Sequence, residues 1–160
     1  MPVFRDEISL QRVEKLHPLI RESVLAALEK CWSSGLRVRI TQGLRTIAEQ
    51  NSLYSIGRTS PGRVVTNAKG GHSYHNYGLA VDFCLIRYDK SASFSETEDV
   101  NRDGRNDWPQ VVEIFKAEGF EWGGDFKSIR DTPHFQKSFG KSTAELLALV
   151  KLGEIYPSLT

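Results

Sequence analysis

Residues 79–86, Leu-Ala-Val-Asp-Phe-Cys-Leu-Ile, form an apolar, β-prone run with one carboxylate in its middle. An ionised aspartate in a strand otherwise suited to burial is costly unless it is paired or bound to a metal. Asp82 therefore constrains both how this strand can pack and what must face it. The strand follows directly from Gly70-Gly71-His72-Ser73-Tyr74-His75-Asn76-Tyr77-Gly78, a glycine-containing loop that places six residues between His75 and Asp82. A loop running straight into a strand can hold an imidazole and a carboxylate rigidly. A third nitrogen is available from His134 in Asp131-Thr132-Pro133-His134-Phe135, where a second carboxylate, Asp131, stands three residues before the histidine. Two histidines, an aspartate and a spare acid supply three protein ligands, one open position for water and one general base, the inventory of a catalytic zinc site. His72 is a further imidazole, but a hydrolytic zinc needs its open position, so His72 is expected to line the cleft. Cys84 shares a strand face with Ala80 and Asp82 and is expected to be a small core residue.

The rest of the chain frames this site. Apolar residues recur at helical spacing over residues 9–16 and 19–34, with Pro18 between them, and Leu36 to Thr41 alternates with period two. His17, beside Pro18, is expected at a helix end on the surface, and Arg37 and Arg39 on the solvated face of the strand. Thr46-Ile47-Ala48-Glu49 fits a capping box opening a helix to about Ile56. Arg45 then lies at a strand-to-helix junction, where it can aim a guanidinium into a cleft or pair with a surface acid. Residues 57–71 read as a long surface loop, residues 108–118 as a helix ending at Gly119, residues 120–126 as a short strand and turn, and Ser142 as the cap of a last helix. The class is α+β, with a small, mainly antiparallel sheet flanked by helices. A single domain over residues 1–160 is expected, with a core at about 36–139, N-terminal helices within 9–34 and a C-terminal helix at 142–152.

Composition removes several classes. A net charge of +1 argues against nucleic-acid binding by bulk electrostatics. Cys31 and Cys84 have neither disulfide-framework nor zinc-knuckle spacing. No segment approaches a membrane span, and residues 1–7 carry acids where a secretory leader would carry positive charge and an apolar core. No signal peptide, no membrane insertion and a monomer are expected. One further motif stands apart. Asp99, Asn101, Asp103 and Asp107 occupy positions one, three, five and nine, with Gly104 at six, as in the first part of an EF-hand calcium loop. Position twelve is Gln110 instead of glutamate, so the alternative is an Asp/Asn/Gly-rich turn whose Asp107 caps the next helix.

Ser73-x-His75, Gly78, Asp82, Glu121-Trp122-Gly123-Gly124-Asp125 and Asp131-x-Pro133-His134-Phe135, with Gln42-Gly43-Leu44-Arg45-Thr46, resemble the zinc peptidases of the VanY and VanX group over about residues 36–139. The L-alanyl-D-glutamate endopeptidases of phage endolysins and related cell-wall hydrolases are the most similar in pattern. The resemblance implies the fold shared with lysostaphin-type peptidases and the hedgehog signalling domain, and peptidoglycan stem peptides as substrate. It implies zinc held by His75, Asp82 and His134, Asp131 as general base, Arg45 at the oxyanion, and Ser73 orienting the ligand loop or a substrate group; His72, where relatives often carry a small residue, and Tyr77 are expected toward substrate. A D-Ala-D-Ala carboxypeptidase or dipeptidase would use the same site, and a non-catalytic zinc-stabilised binding module is a third reading. A wall substrate without a leader fits accumulation in the cytoplasm until phage or prophage lysis, or export by another route.

Overall fold

The computed structural model describes residues 6–159; the leader-free reading of the N-terminus falls mostly on residues 1–5, outside the described residues. Helix α1 (Glu7–Val13) is capped by Asp6, and α2 (Pro18–Ser33) begins with its proline at the first turn. Pro18 thus separates two helices, as its missing N–H allows at that position. Strand β1 (Val38–Gln42) leads to α3 (Ile47–Ser55), β2 (Ala80–Ile86), the two-residue β3 (Ala92–Ser93) and α4 (Asp107–Ala117). Strands β4 (Glu121–Trp122) and β5 (His134–Gln136) precede α5 (Thr143–Leu149), whose Ser142–Glu145 capping box is complete. The named strands pair antiparallel, in the order β1-β2-β5-β4 with β3 also on β2. The α+β class read from the sequence is the one observed. Among the described residues no helix is long and apolar enough to cross a membrane.

Strand alternation divides the sheet into two faces. Val38, Ile40, Val81, Phe83, Leu85 and Phe135 join the apolar core with Ile20, Val24 and Leu28 of α2 and Val111 and Phe115 of α4. Within it Phe83, Phe135 and Phe115 stack, with ring centroids 5.2 Å apart for Phe83–Phe135 and 4.4 Å for Phe115–Phe135. Asp82 and His134 are the sequence neighbours of Phe83 and Phe135, so they point to the opposite face. Cys84 is also buried, across from Arg39 in register, and takes no part in the His75–Asp82–His134 group.

Helix α1 closes the free edge of β1. Ser9 Oγ accepts the Ile40 N–H at 2.8 Å, Arg12 donates to the Ile40 carbonyl at 2.6 Å, and Arg39 forms a forked ion pair with Asp6. Arg39 is thus paired, and Arg37 packs over Trp32 and Tyr88 and donates to the Ile86 carbonyl. Neither simply faces solvent, contrary to the reading from alternation. His17 is likewise at a helix end but is buried. Its Nδ1 caps α2 by accepting the Leu19 N–H, and its Nε2 bonds the Pro157 carbonyl at 2.8 Å.

Candidate metal centre

The register of the sheet brings the first two groups together. Asp82 sits opposite His134 across the β2–β5 ladder and opposite Gln42 across β1–β2, where the register shifts between Ile40 and Gln42. Directly opposed residues of an antiparallel pair share a face with their Cβ atoms about 5 Å apart. His75 arrives on a 3-10 turn, Tyr74–Tyr77, capped by the Ser73 side chain and closed by Gly78 in the left-handed region at φ +67°. A Cβ on Gly78 would crowd the backbone nitrogen of His17, which donates to the Gly78 carbonyl, so glycine is needed here for space as well as conformation. Asn76, buried in the same turn, accepts from the Gly71 and Ser73 amides and donates to the Arg45 carbonyl at 2.9 Å. The Arg45 amide in turn donates to the His75 carbonyl at 3.0 Å. The loop carrying His75 and the junction carrying Arg45 are therefore one hydrogen-bonded unit.

Three ligand atoms meet at the centre. His75 Nε2 is 3.2 Å and His134 Nδ1 is 3.1 Å from the same oxygen, Asp82 Oδ1. The outer nitrogens decide what these inner atoms are. His75 Nδ1 lies 2.8 Å from the Gly43 carbonyl, which can only accept, so the proton of a neutral His75 belongs on Nδ1. His134 Nε2 lies 2.8 Å from Gln136 Oε1, an orientation of the amide matched by Gln136 Nε2 facing the Glu121 carboxylate at 3.5 Å. With both imidazoles neutral, two nitrogen lone pairs and a carboxylate converge with no proton between them. Such an arrangement calls for a cation, and a tetrahedral ion bonded at about 2.0–2.1 Å would separate its ligands by about 3.3 Å. The three residues fit a metal on those grounds. Without one, a proton takes its place. Burial depresses the His134 pKa, but the hydrogen bond and charge of Asp82 outweigh that and raise it. Burial likewise pushes the Asp82 carboxyl up, and the hydrogen bonds from His134 and His75 override it and hold it well below the usual carboxylate range.

The other predicted residues are distributed around this centre. A cleft of about 780 Å³ opens over it, lined by Arg45, His72, Ser73, Asp131 and Gln136 and by apolar Leu53, Val65 and Ile129. Asp131 Oδ2 is 3.9 Å from His134 Nδ1. Burial and then the negative charge of Asp82 raise its pKa, with His134, His75 and Arg45 acting in the opposite sense. Gly123 fixes this acid, because a Cβ there would overlap the Asp131 carbonyl oxygen, while its own carbonyl accepts the Asp131 N–H at 2.9 Å. Arg45 is gripped by Gln50 at 2.9 Å and Gln42 at 3.3 Å, and its Nε is buried without a partner. It lies at the strand-to-helix junction, though the capping box beside it is half-formed. Thr46 Oγ1 accepts the Glu49 N–H, but the Glu49 carboxylate takes the Thr46 hydroxyl instead of its amide.

Tyr77 is a correction. Expected toward substrate, it is 1% exposed and its hydroxyl donates to the Gly71 carbonyl at 2.6 Å, because the 3-10 turn folds it inward. Tyr74 lines the cleft in its place. The sequence reading also missed Gln136, Asn76 and Gln50. The signal for Gln136 was its place two residues after His134 on a strand, hence on the same face. The four residues of the acidic loop lie outside the cleft lining. Asp99, Asp103 and Asp107 do converge, with carboxylate oxygens within 4.8 Å of one another, and burial followed by the charge of Asp99 pushes the Asp107 pKa up to about 6. Asp107 does not cap α4. The N-cap is Asn106, and no side chain makes the capping bond.

Comparison with known proteins gives the lineage. The family profile described as D-alanyl-D-alanine carboxypeptidase, Peptidase_M15_4, matches residues 66–137, a span holding His75, Asp82, Asp131 and His134. The chain is 47% identical over 121 residues to the peptidoglycan L-alanyl-D-glutamate endopeptidase CwlK of Bacillus subtilis (strain 168), covering 76% of this chain and 72% of that relative. It is 29% identical over 138 residues to the L-alanyl-D-glutamate peptidase of Listeria phage A118, covering 84% of this chain and 43% of that one. The crystal structure of the Serratia marcescens L-Ala D-Glu endopeptidase ChiX shares the fold, with a TM-score of 0.60 and 23% identity over 84% of this chain and 90% of that chain. A relative matched this closely over most of both chains, and a profile centred on the His–Asp–His cleft, agree that the chain belongs to the M15 family of metallopeptidases.

Proposed function

We propose that the chain is a zinc peptidase that hydrolyses the L-alanyl–D-glutamate bond of peptidoglycan stem peptides. The observation that carries the chemistry is the convergence of His75 Nε2, His134 Nδ1 and Asp82 Oδ1 with their outer hydrogen bonds already committed. The choice of bond rests on the relatives, two of which are named for L-alanyl-D-glutamate cleavage. His75, Asp82 and His134 would hold the ion. When bound, zinc acidifies a water and polarises the scissile carbonyl.

The remaining work falls to this chain's own side chains. Asp131, beside His134 and raised in pKa, takes the proton of the attacking water and returns it to the leaving amine. Arg45, held by Gln42 and Gln50, offers guanidinium N–H groups to the oxygen on which negative charge develops. Ser73 holds the His75 turn, with its Oγ 3.3 Å from the His75 amide nitrogen, and His72 stands exposed on the cleft wall where a stem-peptide carboxylate can reach it. Val65 and Ile129, each 60% exposed, give the cleft apolar lips for the alanine methyl and the peptide backbone.

Mass spectrometry of purified peptidoglycan digested by the zinc-loaded chain tests the reading. New N-terminal D-glutamate is expected. Released D-alanine without it would instead assign the carboxypeptidase activity by which the family profile is described.

A further inference from the structure

Asp107 is the most anomalous buried group outside the cleft. Its side chain is fully buried, and neither carboxylate oxygen has a hydrogen-bond partner. A carboxylate in that state is among the least favourable arrangements a folded chain can hold unless a cation compensates it. The ordinary explanations fail. Asp107 begins α4 but does not cap it. The backbone amides of Asn101 and Val100 face its carboxylate without closing a hydrogen bond. Arg105, the nearest cation in sequence, turns to Glu113 at 3.9 Å.

What the carboxylate does face is more negative charge. Oxygens of Asp99, Asp103 and Asp107 lie within 4.8 Å of one another. Two oxygens on one calcium ion can be no further apart than twice the Ca–O distance, about 4.6–5.2 Å. The backbone is already turned around that point. Asp99 accepts the N–H groups of Asp103 at 3.1 Å and Gly104 at 2.8 Å, and Arg102 and Gly104 adopt φ of +57° and +86°. The donors on offer are all hard oxygens, which suit calcium or magnesium and not zinc.

We propose that residues 99–110 form a calcium site in which Asp99, Asp103 and the buried Asp107 are the charged ligands and Asn101 an amide ligand. Position twelve brings a neutral amide in place of a bidentate glutamate, and Gln110 Nε2 lies 3.4 Å from Asp103 Oδ2. The smaller ligand charge sets the affinity near the weak end of the EF-hand range, a Kd of about 10⁻⁴ M. The ion would tie the connection between β3 and α4 to the first turn of α4.

Calorimetry on the zinc-loaded chain tests this independently of hydrolysis. CaCl2 at a hundredfold excess over Kd raises Tm by about 5–10 °C, and titration gives one calcium per chain. Magnesium at the same concentration gives less than half that shift, since its stricter octahedral demand is not met by a flexible loop. Asp103→Asn, in the exposed part of the loop, weakens binding at least about tenfold. Asp107→Asn abolishes the calcium response and melts above the wild type when no calcium is present, because it removes a buried, unpaired charge. The response persists in His75→Ala, which separates this site from the cleft. No calcium-dependent shift in the wild type, an undiminished shift in both loop variants, an equal shift with magnesium, or loss of the shift in His75→Ala would each overturn the proposal.

Discussion

Gln136→Met tests the hydrogen bond behind His134, at the added loss of only the long 3.5 Å contact from Gln136 Nε2 to the Glu121 carboxylate. Methionine keeps the approximate volume and burial of the side chain but removes Oε1, which accepts from His134 Nε2 at 2.8 Å. Nε2–H then becomes a buried donor with no acceptor, at a cost of about 1–3 kcal/mol. The imidazole can escape by moving its proton to Nδ1, but Nδ1 is the atom 3.1 Å from Asp82 that would carry the metal. Both routes penalise the metal-bound state, so zinc affinity should fall about 10–100-fold, the usual range for losing such a partner. Competition against a chromophoric chelator of known affinity at neutral pH measures this directly. Gln136→Glu keeps an acceptor for His134 but sets a second carboxylate against Glu121, so its zinc affinity should fall less than that of Gln136→Met. If Gln136→Met binds within about threefold of wild type, the assignment of His134 as an Nδ1 ligand is wrong.

Three further outcomes follow from the same geometry. Asp131→Asn should retain zinc, measured by metal analysis, yet lose at least about 10²-fold in hydrolysis of stem peptides, as removal of a general base does. Arg45→Ala should lower kcat by about 10²–10³-fold with zinc content unchanged, and a change confined to KM would move Arg45 from the oxyanion to substrate binding. The third outcome concerns pH. The raised pKa of His134 gives the metal-free chain stability that is full below the ordinary value of 6.5 and lost as pH rises through the raised one. The depressed Asp82 pKa acts in acid only, its contribution disappearing as pH falls from the ordinary 3.8 through the lowered value. Zinc needs neutral imidazoles, so its binding strengthens over the upper window. The difference in Tm between zinc-loaded and EDTA-treated chain should therefore widen from about pH 6 to pH 8, and a constant difference would contradict the ligand set.

How much of this was legible in advance depended on whether the physics was local. Asp82 could be read because one carboxylate in an apolar strand violates a rule that neighbours alone reveal. His134 could be paired with it because an imidazole with an acid three residues before it stands beyond a helix. Tyr77 could not be assigned correctly, since the direction it takes depends on the hydrogen bonds that Ser73 and Asn76 make to wind the turn. The burial of His17 depends on Pro157, some 140 residues away in the chain, and β3 is too short to carry any alternation. The half-formed capping box at Thr46 fails for a similar reason. The motif was present, but the backbone N–H of Thr46 was not what the glutamate found.

The stacked phenylalanines under the cleft have a dynamic consequence. Phe83 and Phe135 each sit one residue from a proposed ligand, and Phe115 closes the stack from α4. None of the three rings can leave without opening the contacts of the other two, so β2, β5 and the second half of α4 form one cooperative opening unit. Amide hydrogens at 82–85, 134–136 and 112–115 should exchange with a shared free energy of opening. Zinc should slow all three groups together, even the helix that never touches it.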